Sequence, residues 1–241
     1  LRAGRLQITD STPVWFMRQA GRYMAEYRKI REKCGLLELF KTPEIAVEVT
    51  LQPLKILPVD AAIIFADILL PLEPMGIALE YSKDEGPVIH NPVRTGADAR
   101  ALRVPDPEEE LGYVLSSLRL ARAELNGRVP LIGFGGAPFT LASYMIEGGT
   151  GRNYLMTKKL MYGEGETWSV LMTKVAQTIS RYLLAQVKAG AQVIQLFDSW
   201  VGCLSPSDYR EYVLPYSRLV FQALEEQGVL VRRSRERLES E

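Results

Sequence analysis

Residues 175–200 read VAQTISRYLLAQVKAGAQVIQLFDSW, and this stretch decides the fold. Val175, Ile179, Leu183 and Val187 recur every four residues, which lays one apolar stripe along a helix. Gly190 stops that helix, since glycine takes the left-handed conformation of a helix end without a steric penalty. Val193–Phe197 then follows as a short apolar run. Parallel strands buried on both faces have this continuous apolar character, and a helix running straight into one is half of a βαβ unit.

The same alternation recurs outward from this unit. Further strands are predicted at residues 14–17, 61–65 and 131–134. Thr42 is placed to cap a helix with Pro43 at its first position, running through Ile45, Val49 and Leu54 with a kink near Pro53. Ser205, Pro206 and Asp208 open another helix toward Leu224 and Gly228. Strand alternating with helix predicts a parallel α/β architecture. There is no internal repeat or low-complexity linker, so one domain is expected over residues 1–241, with 1–12 as a lead-in. An eight-stranded α/β barrel needs about 250 residues, yet only four clear strand units are visible. A fifth strand is expected to begin at Val229, but the run turns into Arg232, Arg233, Ser234, Arg235, Glu236 and Arg237. Residues 232–241 therefore read as a charged tail.

Composition narrows the function classes. Lys plus Arg and Asp plus Glu number 29 each, so no general field favours nucleic acid or anionic lipid. Anion binding must come from a local cluster of cations. Cys34 and Cys203 form no C-x-x-C pair and no disulfide framework, which fits a reducing, cytoplasmic home. No apolar run reaches the length of a membrane span.

Several residues invite chemistry. Arg18 and Arg22 lie four apart, on one face if the segment is helical, and guanidinium groups pair carboxylates in a bidentate way. Surface ion pairing is the alternative for both. Asp67 follows an apolar run, where a barrel places catalytic groups; as a bare carboxylate it could equally cap a helix or close a turn. Tyr144 and Ser199 on their own read as turn or cap hydroxyls. Gly133, Gly135 and Gly136 fit neither a P-loop nor a dinucleotide fingerprint and predict a tight strand-to-loop turn. Gly148, Gly149 and Gly151 predict a flexible loop, and Phe197 a core position. His90 lies in a turn without the companions a metal site requires.

Five segments carry a further signal: PVWFMRQAGRY (residues 13–23), TLQPL (50–54), DAAIIFADIL (60–69), IGFGGAPFTLASYMIEGG (132–149) and QLFDSW (195–200). Together and in this order they resemble the uroporphyrinogen decarboxylase family, over residues from about 13 to 228. The resemblance implies an α/β fold of the (β/α)8 TIM-barrel type, truncated to about the first four or five βα units. It implies a cytoplasmic homodimer with no organic cofactor and no metal. The implied activity is that of a carboxy-lyase in haem and porphyrin biosynthesis. Its substrate, uroporphyrinogen III, loses carbon dioxide from four acetate side chains to give coproporphyrinogen III.

The resemblance also implies roles. Arg18, Gln19, Arg22 and Arg31 would hold substrate carboxylates. Asp67 would accept hydrogen bonds from the pyrrole N–H groups and stabilise the cation formed when a pyrrole carbon is protonated. Tyr144 and Ser199 would bind carboxylates and help position Asp67, so that Asp67, Arg18 and Tyr144 form the catalytic set. Arg18 acting with water and Asp67 are both open as proton donors. The barrel is shared with cobamide-dependent methyltransferases, whose zinc-binding His and Cys residues are missing here. The family's late Asn-Leu-Gly-His segment has no counterpart in this sequence either. The alternative is therefore an inactive tetrapyrrole-binding fragment or a subunit-pairing module.

Overall fold

Five strands form among residues 1–82, 86–149 and 153–229, which the computed structural model describes. They are β1 (Ala62–Ile63), β2 (Leu79–Ser82), β3 (Gly86–Ile89), β4 (Leu131–Gly136) and β5 (Val193–Phe197). β1, β4 and β5 make a parallel sheet with β4 in the middle, while β2 and β3 pair antiparallel as a separate hairpin. The register sets Ala62 beside Leu131, and Ile132 to Gly136 beside Val193 to Phe197.

Helices fill the intervals. α1 (Ala25–Arg31), α2 (Leu36–Lys41) and α3 (Pro43–Leu51) precede β1. α4 (Gly96–Ala101), α5 (Pro107–Glu110) and α6 (Gly112–Leu125) lie between β3 and β4. α7 (Pro138–Glu147), α8 (Leu155–Gly163) and α9 (Gly165–Lys188) connect β4 to β5, and α10 (Pro206–Asp208) and α11 (Leu214–Glu226) follow. α9 packs on β4, α7 and α11, with Val175, Ile179 and Leu183 fully buried. Gly190 closes its end at a φ of 113°. Ser205 caps α10 by accepting the Asp208 N–H at 3.1 Å.

The predicted strand at residues 14–17 is not a strand. The reason is chemical: Gln19 stands where a neighbouring strand would pair. Its Oε1 accepts the Phe16 N–H at 3.0 Å and its Nε2 donates to the Ala61 carbonyl at 3.1 Å. The parallel sheet thus has three strands among the described residues. β1 is also shorter than residues 61–65, because the Phe65 N–H leaves the ladder for Thr50 Oγ1 at 2.9 Å. That bond accounts for the threonine of TLQPL. α3 stops at Leu51, and Pro53–Lys55 is a separate 3₁₀ turn holding Leu54. Thr42 makes no cap bond; its hydroxyl donates back to Glu38 O at 2.8 Å. Leu230, Val231, residues 232–241 and Gly151 lie outside the described residues.

Gly133, Gly135 and Gly136 do not form a turn; all three belong to β4. They are needed for close approach. A Cβ on Gly133 would collide with the Gln186 side chain, and one on Gly136 would come within 2.6 Å of Leu141 Cδ2. Gln186, fully buried on α9, accepts the Phe134 N–H at 2.9 Å and donates to the Phe134 carbonyl at 2.8 Å. Gly133→Ala should displace that amide and leave buried polar groups unpaired, lowering stability by about 1–3 kcal/mol. Urea unfolding measures this, and an unchanged midpoint would contradict it.

Candidate active site

The carboxyl-terminal ends of the parallel strands lead to Asp67, Tyr144 and Ser199, while Arg18, Gln19 and Arg22 lie in the segment before α1 and Arg31 in α1. Asp67 lies four positions past β1. Its Oδ1 accepts the Leu69 N–H at 2.8 Å, an Asx turn that leads into the buried 3₁₀ turn Leu70–Leu72. The turn role is real, and the same carboxyl also faces other polar groups. Burial pushes its pKa up, and the Leu69 N–H, the Tyr81 hydroxyl and the Arg18 guanidinium pull against that rise. Tyr81 comes from β2. Its hydroxyl is buried beside Asp67 but lacks the aligned geometry of a formed hydrogen bond. Burial and the neighbouring carboxylate both keep that phenol protonated.

Tyr144 projects from α7 into the same cluster. Burial, then the Asp67 charge, push its hydroxyl up to about 12, with Arg18 pulling the other way. Residues 18, 67 and 144 therefore share one electrostatic environment although they are far apart in sequence. Arg22 and Arg31 gather instead around Tyr27, whose hydroxyl both stabilise in its charged form against a larger effect of burial. Tyr27 packs edge-on against Phe65 at 5.5 Å, which ties this second group to the strand end that leads to Asp67. Arg31 also donates to Cys34 O at 2.6 Å. Residues 17–23 form turns and bends with no helix, so Arg18 and Arg22 do not share a helical face. None of the three arginines forms an ion pair with a carboxylate among the described residues.

Gln19 is buried and spends its amide on the backbone, which fixes the segment bearing Arg18. Ser199 is exposed on the turn after β5. Trp200, next to it, stacks on Tyr144 with ring centroids 3.8 Å apart. Phe197 packs against Phe134 at 5.6 Å. Phe16, Met17 and Tyr23 are each more than half exposed, and with Leu57 they line a shallow apolar cleft at Arg18. His90 pairs with Glu80 at 2.9 Å on the exposed hairpin. Sequence reasoning missed Tyr81, Trp200 and this cleft. The signal for the cleft was an apolar run with no strand to pair with.

The family description for uroporphyrinogen decarboxylase (URO-D) matches residues 1–232. The chain belongs to this family. It is 62% identical over 231 residues to a uroporphyrinogen decarboxylase from Sorangium cellulosum, covering 96% of this chain and 66% of that protein. It is 61% identical to one from Carboxydothermus hydrogenoformans, with the same coverage. The chain thus spans about two thirds of the length of these curated relatives. Its fold is similar to that of a solved methyltransferase from Methanosarcina mazei, with a TM-score of 0.74 at 18% identity. That likeness covers 92% of this chain and 65% of the other, and concerns the fold alone. The parallel strands and their helices are part of the uroporphyrinogen decarboxylase family's (β/α)8 barrel.

Proposed function

We propose that the protein decarboxylates the acetate side chains of uroporphyrinogen to give coproporphyrinogen, using its own side chains and no cofactor. The observation that carries this reading is the partly buried Asp67 carboxyl, which shares its surroundings with Tyr144 and with Arg18, itself part of the lining of an exposed apolar cleft. A tetrapyrrole has an apolar macrocycle and a rim of carboxylates. The cleft of Phe16, Met17 and Tyr23 suits the first, and Arg18, Arg22 and Arg31 suit the second. Gln19 holds the segment that presents Arg18, and Tyr144 and Ser199 offer hydroxyls from the segments that follow β4 and β5.

Protonation of a pyrrole carbon makes the ring an electron sink. The C–C bond to the carboxylate then breaks, its electron pair enters the ring, and carbon dioxide leaves. A second proton completes the methyl group. The proton first placed on the ring carbon leaves to restore the pyrrole, so one proton is taken up for each carbon dioxide released. Asp67 serves the cation formed on the way. One charge pair at 4 Å with an effective dielectric near 20 is worth about 4 kcal/mol. That is close to three decades of rate if realised mainly in the transition state.

The same reading takes the chain as part of one domain that works as a cytoplasmic homodimer. No helix among the described residues is long and apolar enough to cross a membrane. The arginines give the test. Titrating uroporphyrin and coproporphyrin by fluorescence at two ionic strengths should show tighter binding of the more carboxylated ring. Binding of both should weaken as salt rises, because exposed parts of the pairing are screened. Salt-independent binding, or no preference between the rings, would remove the arginine cluster as the anchor.

A further inference from the structure

Thr140 is fully buried in the first turn of α7, one helical turn before Tyr144. Its hydroxyl donates to Asp198 Oδ1 at 2.7 Å and accepts the backbone N–H of Trp200 at 3.2 Å. The Ala137 N–H donates to the Phe197 carbonyl at 2.8 Å, closing the same joint through the backbone. A hydroxyl has one proton and can also accept. Here the chain of bonds runs one way, from the Trp200 amide through Thr140 to the Asp198 carboxylate. The start of α7 is thereby bolted to the turn that carries Ser199. Trp200 returns the connection, because its ring lies on Tyr144 at 3.8 Å with an interplanar angle of 27°. Tyr154 packs edge-on against the same indole at 5.2 Å.

We propose that Thr140 and Asp198 are positioning residues, a latch that holds the Tyr144 and Ser199 hydroxyls in fixed relation across the end of the sheet. The loop between Phe197 and Trp200 is too short to pack a core of its own. Without the Thr140 hydroxyl, the Trp200 amide would lose its partner, the half-buried Asp198 carboxylate would keep only the Thr140 backbone N–H, and the indole would lose its fixed seat on Tyr144. What the two hydroxyls hold rests on the decarboxylase reading; the latch itself does not. A catalytic constellation displaced by about 1 Å can lose about a hundredfold in rate, so a residue that touches no substrate can still govern turnover.

The test uses the full 241-residue chain. Thr140→Val keeps the side-chain shape and removes both bonds, while Thr140→Ser keeps both. Near-ultraviolet circular dichroism reads the Trp200–Tyr144 stack without any ligand, and Trp200→Phe identifies its band. Thr140→Val should lose that band with an unchanged far-ultraviolet spectrum. It should also slow decarboxylation in single-turnover incubations by about a hundredfold. Thr140→Ser should restore both. Asp198→Asn, which keeps an acceptor but not the charge, should fall between. If Thr140→Val fails to fold, the Asp198→Asn and Thr140→Ser pair carries the same comparison.

Three results would overturn the latch. One is an intact band and wild-type rate in Thr140→Val. Another is band loss without a change in rate. The third is a Thr140→Ser variant as impaired as Thr140→Val. A wild-type chain that neither binds nor converts tetrapyrrole would instead sink the decarboxylase reading. The dichroism comparison would still judge the latch in that case, and a retained band in Thr140→Val would overturn it.

Discussion

Asp67→Asn is expected to lower decarboxylation by about a thousandfold, on the scale of one lost charge pair at the cation, while leaving the fold intact. The amide keeps the shape and still accepts the Leu69 N–H, but it cannot answer a positive charge on the ring. The pH dependence has a definite sign. Burial raises the Asp67 pKa above its ordinary value, so the folded protein holds this proton more tightly than the unfolded chain does. Ionising Asp67 therefore costs stability as pH rises from its unfolded value through its raised folded one. Asp67→Asn removes that cost and should unfold at a higher urea concentration than the wild type at neutral pH. The anion is the working form, so wild-type turnover should decline with acidification at a higher pH than an ordinary carboxylate would give. Stability and activity move in opposite directions on one substitution, the trade expected of a buried charge kept for function.

The second large effect concerns the sheet edge. β4, flanked by strands on both sides, is buried along its whole length. β5 has no strand on its outer side among the described residues, and its side chains are half open, with Val193 38% exposed. The cleft at Phe16 and Met17 adds further apolar surface. An unpaired edge is a template for pairing with another chain, and apolar patches beyond a few hundred Å² are rarely left open in monomers. The 241-residue chain expressed alone should elute as a dimer or larger, melt over a broad temperature range and turn over slowly. Sedimentation velocity with calorimetry decides this. A monodisperse monomer with a sharp transition and rapid turnover would show that the edge is closed by something not accounted for here.

The parts of the fold legible in the sequence were those set by local pattern. The four-residue spacing of Val175 to Val187, the Gly190 stop and the apolar run of β5 are all short-range signals, and each became the element it predicts. Residues 14–17 carry the same kind of apolar run, but whether such a run pairs depends on what lies beside it. Here a side chain, Gln19, took the neighbouring carbonyl. The glycines of β4 misled for a related reason. A glycine signals either freedom of φ or lack of space, and only the packed partner, Gln186, tells which. The hairpin of β2 and β3 gave no signal because its strands are mixed and carry a proline.

The candidate site divides in the same way. Arg18, Asp67 and Tyr144 were named from family motifs, and the fold brings them into one environment. No periodicity could have joined positions so distant in sequence. Tyr81 and Thr140 carried no signal because a buried hydroxyl on a strand or helix looks like filler until its neighbours are known.

The most direct test of the proposed chemistry is a single-turnover, anaerobic incubation of uroporphyrinogen with excess chain, comparing wild type with Asp67→Asn and resolving products by carboxylate number. Wild-type protein should yield porphyrinogens that have lost acetate carboxylates, and Asp67→Asn of normal circular dichroism should yield none above background. Equal product from both would contradict the assignment of Asp67 as the group that stabilises the pyrrole cation.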